Sequence, residues 1–202
     1  MWSAFAAASC ENMGVGASKE TVNAALSPAQ TDLGLRHVMV VGGSIDEWNG
    51  LSDQQWSVRL AELGKIADNV GASWLTIRPY MSTRDGSVAA ERTATAGSCL
   101  IAVTPQGDGR QRFVDVLQAL RNRELVVTEQ AITELINWPA LVDPDLVVVL
   151  GPSNRMPPSM VWELAYSELV FLDIAWADLQ ADHLDQAIVD FTKRHRRFGG
   201  LD

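Results

Sequence analysis

From Leu146 to Leu150 the chain reads Leu-Val-Val-Val-Leu, the segment that most sharply limits its choice of fold. Five aliphatic residues in a row, three of them β-branched, leave a strand with no side for water, so both of its faces must be covered. That is the condition of an interior strand in a parallel sheet. The flanks agree, since Asp143-Pro144 breaks whatever precedes the run and Gly151-Pro152 follows it.

His37-Val38-Met39-Val40-Val41 is a second buried run, ending in Gly42-Gly43, and Trp74 to Tyr80 and Cys99 to Val103 are further strands. Leu169-Val170-Phe171 reads as a short strand or turn. Ser52-Asp53-Gln54-Gln55 has a helix-capping pattern, with Trp56, Leu60, Leu63, Ile66, Ala67 and Val70 at helical spacing before Gly71. More helices are predicted from Arg110 to Asn122, with Val114, Leu117 and Leu120 inward, from Thr128 to Ile136, and from Ser159 to Glu168. A last one, capped by Asp178, runs to Arg197 and buries Leu184, Ile188 and Phe191. Met81 to Gly97 is polar and small and is assigned no element. Strands alternating with helices predict an α/β fold, a mostly parallel central sheet with helices on both faces. Residues 1–36, rich in Ala, Ser, Asn and Gly, read as a loosely ordered arm with one short helix around Lys19 to Leu26, and residues 37–202 as the domain.

A net charge of -9 argues against a nucleic-acid partner, which selects broad basic faces. Cys10 and Cys99 lack partners at metal-ligand spacing and are expected to be inert thiols in a reducing compartment. There is no transmembrane segment, and Met1 to Cys10 has neither the basic start nor the apolar length of a signal peptide. His37, His183 and His195 form no triad or metal cluster, so the chain shows no catalytic constellation of its own.

Three stretches carry a resemblance: Asp143-Pro144-Asp145-Leu146-Val147, Trp162-Glu163-Leu164-Ala165-Tyr166-Ser167-Glu168-Leu169, and Arg196-Arg197-Phe198-Gly199-Gly200-Leu201. In order and spacing they are similar to the cis-prenyltransferases, the undecaprenyl and dehydrodolichyl diphosphate synthases, and the likeness reaches back to His37 and Trp48. The resemblance implies that family's fold.

Catalytic members of that family open with Asp-Gly-Asn-Gly-Arg-Trp, whose Asp holds Mg²⁺ and whose glycines let backbone N–H groups cradle a diphosphate. The matching stretch here is Gly43-Ser44-Ile45-Asp46-Glu47-Trp48: Gly43 stands for the Asp, Ile45 for the Asn and Glu47 for the Arg. Glu47 is thus expected to put a carboxylate toward the diphosphate position. In the family's second catalytic stretch, Val149 and Pro157 replace an Arg and a Ser, leaving Arg155 of the isopentenyl diphosphate clamp. The segment between Tyr80 and Gly97, which helps wall the product tunnel in active members, reads as shortened.

The same departures resemble the Nogo-B receptor class of non-catalytic subunits, as does Leu150-Gly151-Pro152. That resemblance implies an accessory subunit pairing with a catalytic cis-prenyltransferase and lending a C-terminal Arg-x-Gly motif, here Arg197-Phe198-Gly199, to the partner's site, with Arg155 beside it. It implies no cofactor on this chain, Mg²⁺ in the partner, and a cytoplasmic location with peripheral membrane contact through the complex. The implied interface is Trp162, Tyr166, Leu169 and Phe171; by pattern alone Trp162, Tyr166 and Leu169 are equally one core face of a helix. Lys193, Arg194 and Arg196 read as a solvated helix end, Glu168 as structural, and Gly107-Asp108-Gly109-Arg110 as a helix entry rather than a phosphate loop. Two other functions stay open: a divergent homodimeric synthase whose metal is held by Asp46 or Glu47, and a prenyl-lipid binding or scaffolding protein.

Overall fold

The computed structural model describes residues 34–81 and 89–198, with side chains as far as Arg194. Most of the expected arm, with its short helix, lies outside the described residues. Six strands form one sheet: β1 (His37–Val41), β2 (Trp74–Arg78), β3 (Arg92–Ala96), β4 (Cys99–Val103), β5 (Leu146–Leu150) and β6 (Glu168–Leu172). Their order is β3-β4-β2-β1-β5-β6, all parallel except the β3–β4 hairpin. The helices are α1 (Ile45–Asn49), α2 (Asp53–Asn69), α3 (Gly109–Asn122), α4 (Glu129–Ile136) and α5 (Ala181–Phe198).

The period-2 alternation of strand side chains divides the core. Val38, Val40, Leu75, Ile77, Ile101, Leu146, Val148 and Val170 face α2 and α5, where Trp56, Leu60, Leu63, Leu184, Ile188 and Phe191 meet them. Met39, Val41, Val147 and Val149 face the other way, under Met160 with Tyr80, Leu169 and Phe171. On that second side α3 and α4 pack on each other through Val116, Leu120, Ile132 and Ile136. Every residue of β1 and β5 is buried, as an interior strand requires.

The structure corrects four expectations. The polar stretch before Gly97 contains β3, a half-buried edge strand of Arg, Thr and Ala whose weak pattern hid it. Its hairpin turns at Gly97, φ +55°, where a Cβ would collide with the Asp68 carboxylate that accepts from the Ser98 N–H and hydroxyl. Val114 is exposed; α3 instead buries Arg112, Val116 and Leu120, because a buried ion cluster turns the helix. Residues 159–168 form a short 3-10 turn, Glu163–Ala165, and no α-helix. Asp178 lies in another 3-10 turn, and the first turn of α5 is met by the His183 ring, which accepts from the Gln180 N–H at 3.2 Å.

That ion cluster joins the two layers. Glu163, fully buried, accepts from Arg78 at the end of β2 and from Arg112 of α3 at 2.5 Å. Arg78 also donates to the Ile136 carbonyl (2.7 Å), and Arg112 to the Ser159 carbonyl (2.8 Å). Burial would raise the Glu163 pKa, but the two guanidinium groups override it and hold the carboxyl below its ordinary range. Burial and Arg78 bring Arg112 down to about 9, still a cation at neutral pH.

His37 is buried between the Val142 carbonyl, 3.0 Å from Nδ1, and the Thr76 hydroxyl, 2.9 Å from Nε2. Burial lowers its pKa to about 4. Cys99 is buried, and burial with the Asp68 charge pushes its thiol up to about 12, which makes it unreactive; Cys10 lies outside the described residues.

Glu163→Ala should cost about 3–5 kcal/mol in urea denaturation, because it strands two buried cations, whereas loss of a surface ion pair such as Lys193–Asp190 should cost under about 1 kcal/mol. His37 stabilises the fold while neutral. As pH falls from its ordinary 6.5 toward about 4 the unfolded chain takes up the proton first, so about 3 kcal/mol of stability should be lost across that window. Urea midpoints against pH should show this loss in the wild-type protein and a correspondingly flatter profile in His37→Asn.

Candidate functional site at the carboxyl edge

Because five strands run parallel, the loops after β1, β2, β4, β5 and β6 gather at one edge, where open α/β sheets build their sites. Tyr80 ties three of these loops: its N–H donates to the Gly43 carbonyl (2.8 Å) and its hydroxyl to the Arg155 carbonyl (2.9 Å).

Gly43 stands at the turn out of β1 with φ +74°, a conformation glycine adopts without strain. A Cβ built there would lie 2.7 Å from Trp176 Cγ and 2.7 Å from Trp48 Nε1. The next residue, Ser44, caps α1. Its hydroxyl accepts from the Glu47 N–H (3.2 Å), while the Glu47 carboxylate accepts from the Ser44 N–H (2.8 Å) and hydroxyl (2.9 Å). This reciprocal capping box uses up the loop's first backbone donor. Glu47 is therefore turned back onto its own loop, and the expectation that it faces a diphosphate is replaced by a local cap.

Around Gly43 three indoles are buried together. Trp48 meets Trp56 edge-on at 5.4 Å between ring centroids, and Trp176 lies 5.7 Å from each. The Arg59 guanidinium sits 4.6 Å from the Trp176 ring centroid and donates to the carbonyls of Trp176 (3.1 Å) and Ala177 (3.3 Å). A magnesium–diphosphate pair does not fit these residues: position 43 offers no ligand and Glu47 is engaged. Among the described residues no group of three His, Cys, Asp or Glu side chains could hold a metal ion.

The remaining candidates are dispersed. Val149 is fully buried in the second-side core, so the position of the family's first arginine points into apolar side chains. Arg155 is exposed in the loop after β5. At the entry to α3 the Asp108 carboxylate accepts from the N–H groups of Arg110 (3.0 Å) and Gln111 (3.1 Å), filling that helix start from within. Trp162 stacks on Phe113 at 5.7 Å and donates to the Thr133 hydroxyl (3.0 Å). Leu169 and Phe171 are half-buried in β6 against the second-side core, and Tyr166 is 74% exposed. Without a helix there, Trp162, Tyr166 and Leu169 do not share a helical face. Arg194 donates to the Leu169 carbonyl at the outer side of β6 (2.9 Å) and pairs with Glu168 (3.8 Å); Lys193 pairs with Asp190. Arg197 and Phe198 close α5 with side chains outside the described part, and Gly199 lies outside the described residues.

Trp176, Arg59, Arg78 and Arg112 were missed by sequence reasoning. Trp176 is one of seven tryptophans and sits far along the chain from the loop it touches, so no local pattern marks it. A surface cleft of about 410 Å³ opens at the opposite edge beside Arg36, Glu134, Asp143 and Tyr166.

Solved structures with this fold include a probable undecaprenyl diphosphate synthase from Campylobacter jejuni, which matches 79% of this chain and 96% of its own with a TM-score of 0.55 at 14% identity. A second is lavandulyl diphosphate synthase from Lavandula x intermedia in complex with dimethylallyl diphosphate, with a TM-score of 0.52 at 14% identity over 78% of this chain and 94% of its own. These show the likeness of fold. In sequence, an isoprenyl transferase of Fusobacterium nucleatum is 25% identical over 85% of this chain and 79% of its own. An isoprenyl transferase of Bacillus cereus is 39% identical over 75 residues, which are 37% of this chain and only 29% of that protein. The profile of a family described as "Putative undecaprenyl diphosphate synthase" matches residues 78–199, more than half of the sequence. The chain belongs to this prenyltransferase family, the cis-prenyltransferases.

Proposed function

We propose that the chain is a non-catalytic, Nogo-B receptor-like subunit that works beside a catalytic cis-prenyltransferase. The observation that carries this reading is the loop after β1. Where the family places its metal-binding aspartate, this chain has Gly43, and the neighbouring carboxylate of Glu47 is engaged by Ser44. With Val149 buried and Arg155 left alone, the second catalytic stretch lacks the pair of guanidinium groups that would clamp a diphosphate.

The partner supplies the catalytic aspartate, Mg²⁺ and the product tunnel, and joins isopentenyl diphosphate to an allylic diphosphate. This chain lends Arg197 and the Gly199 backbone to the partner's isopentenyl diphosphate site, adding fixed positive charge where the diphosphate sits. The docking face in this reading is the segment that leads into β6, where the side chains of Val161, Leu164 and Tyr166 are exposed. No described helix is long and apolar enough to cross a membrane, so in this reading membrane contact comes through the complex.

The test is isopentenyl incorporation by a catalytic cis-prenyltransferase mixed with this chain, as the wild-type protein and as Arg197→Ala. The wild-type chain should raise the rate, and Arg197→Ala should lower it about tenfold to a hundredfold, the worth of one charge-assisted contact to a diphosphate. Equal rates with and without this chain would overturn the accessory role.

A further inference from the structure

The link between α3 and α4 carries an apolar run that neither the core nor the proposed docking face uses. Leu125, Val126 and Val127 are 52%, 78% and 54% exposed, and every residue from Arg121 to Gln130 faces water. The run belongs to no helix and pairs with no strand, and Thr128 at its end is extended (φ −128°, ψ 159°). The Leu125 N–H donates back to the Leu120 carbonyl (3.0 Å), but the backbone N–H and C=O groups of Val126 and Val127 have no partner among the described residues. Aliphatic residues with open backbone groups form an edge on which another strand can pair. Charges frame the run: Arg123 lies three residues before Val126 and Glu129 three after it, and neither is in an ion pair among the described residues.

We propose that this run is a self-association site, on which a second copy of the chain adds the same segment antiparallel across a twofold axis at Val126. A twofold contact is self-complementary, so one surface supplies both halves. With Val126 facing Val126, Leu125 stands opposite Val127 and Arg123 opposite Glu129, and each of these matches occurs twice. The open N–H and carbonyl of each Val126 then bond those of the other copy. Charge selects this arrangement over the others. Parallel pairing in register would set Arg123 against Arg123 and Glu129 against Glu129. An anionic lipid surface gains no attraction from a run whose flanking charges, Arg121 and Arg123 against Glu124 and Glu129, cancel. The contact is short, which puts the association at the weak end of protein interfaces. It shares no residue with the segment leading into β6, so the inference goes beyond the accessory role and does not depend on it.

The test is sedimentation velocity of the full chain over a range of concentrations, as the wild-type protein and as Val126→Asp, Arg123→Glu, Glu129→Arg and Arg123→Glu/Glu129→Arg. The wild-type chain should pass from monomer to dimer as it is concentrated. Val126→Asp and each single reversal should weaken dimerisation about tenfold or more, since one reversal turns two attractive pairs into two repulsive ones. The double reversal should recover dimerisation to within about threefold of the wild type, a rescue that a general loss of structure would not give. A chain that stays monomeric throughout, with or without phosphatidylglycerol vesicles, a dimer that survives Val126→Asp, or a double reversal that does not recover would each overturn the proposal. Oxidative crosslinking gives a check that leaves the charges alone. In a Cys10→Ser background, Val126→Cys should crosslink two copies, whereas Val114→Cys, exposed on α3, should not, and equal crosslinking at both positions would count against the site.

Discussion

The arrangement of this molecule depends on one buried carboxylate. Glu163 holds Arg78 and Arg112 together where the end of β2, the first turns of α3 and the loop after β5 converge, and the Ile136 and Ser159 carbonyls each accept one further guanidinium N–H. Such clusters add little net stability, because three charges lose their water, but they penalise every arrangement that leaves one of them alone. The second-side helices need that constraint. Their apolar residues pack mainly on each other, and the sheet beneath the apolar cluster of Met39, Val41, Val147 and Val149 is covered by Met160. The ion cluster fixes where α3 and α4 sit, and it draws Ser159, Met160 and Glu163 inward while Val161, Leu164 and Tyr166 remain outside.

The same economy of donors runs along the carboxyl edge. At α1 the Ser44–Glu47 box, and at α3 the Asp108 carboxylate, answer helix N–H groups that would otherwise be open to an anion. Tyr80 closes the space between the loops after β1 and β5. Each device is ordinary protein structure, but together they turn an edge that related folds use for phosphate chemistry into a self-satisfied surface. The accessory role proposed for this chain starts from that edge.

Much of this was legible in the sequence. The LVVVL run, the HVMVV run and the capping pattern at Ser52 each depend on neighbours in the chain, and those elements stand where the patterns put them. β3 was not legible, because Arg92-Thr93-Ala94-Thr95-Ala96 lies at an edge and needs no continuous apolar face. The 3-10 turn at Glu163 was missed for the opposite reason: Trp162, Tyr166 and Leu169 fit a helical period, but satisfying a buried charge outweighed it. The Trp176–Gly43 contact joins residues more than a hundred positions apart, and only the sheet order brings them together.

The central claim, that this chain does not perform the condensation by itself, is tested most directly by incubating the purified chain alone with isopentenyl diphosphate, dimethylallyl diphosphate and Mg²⁺ and measuring chain elongation. The account predicts no product above the protein-free background at any enzyme concentration. Magnesium-dependent elongation that scales with the amount of this chain would contradict it.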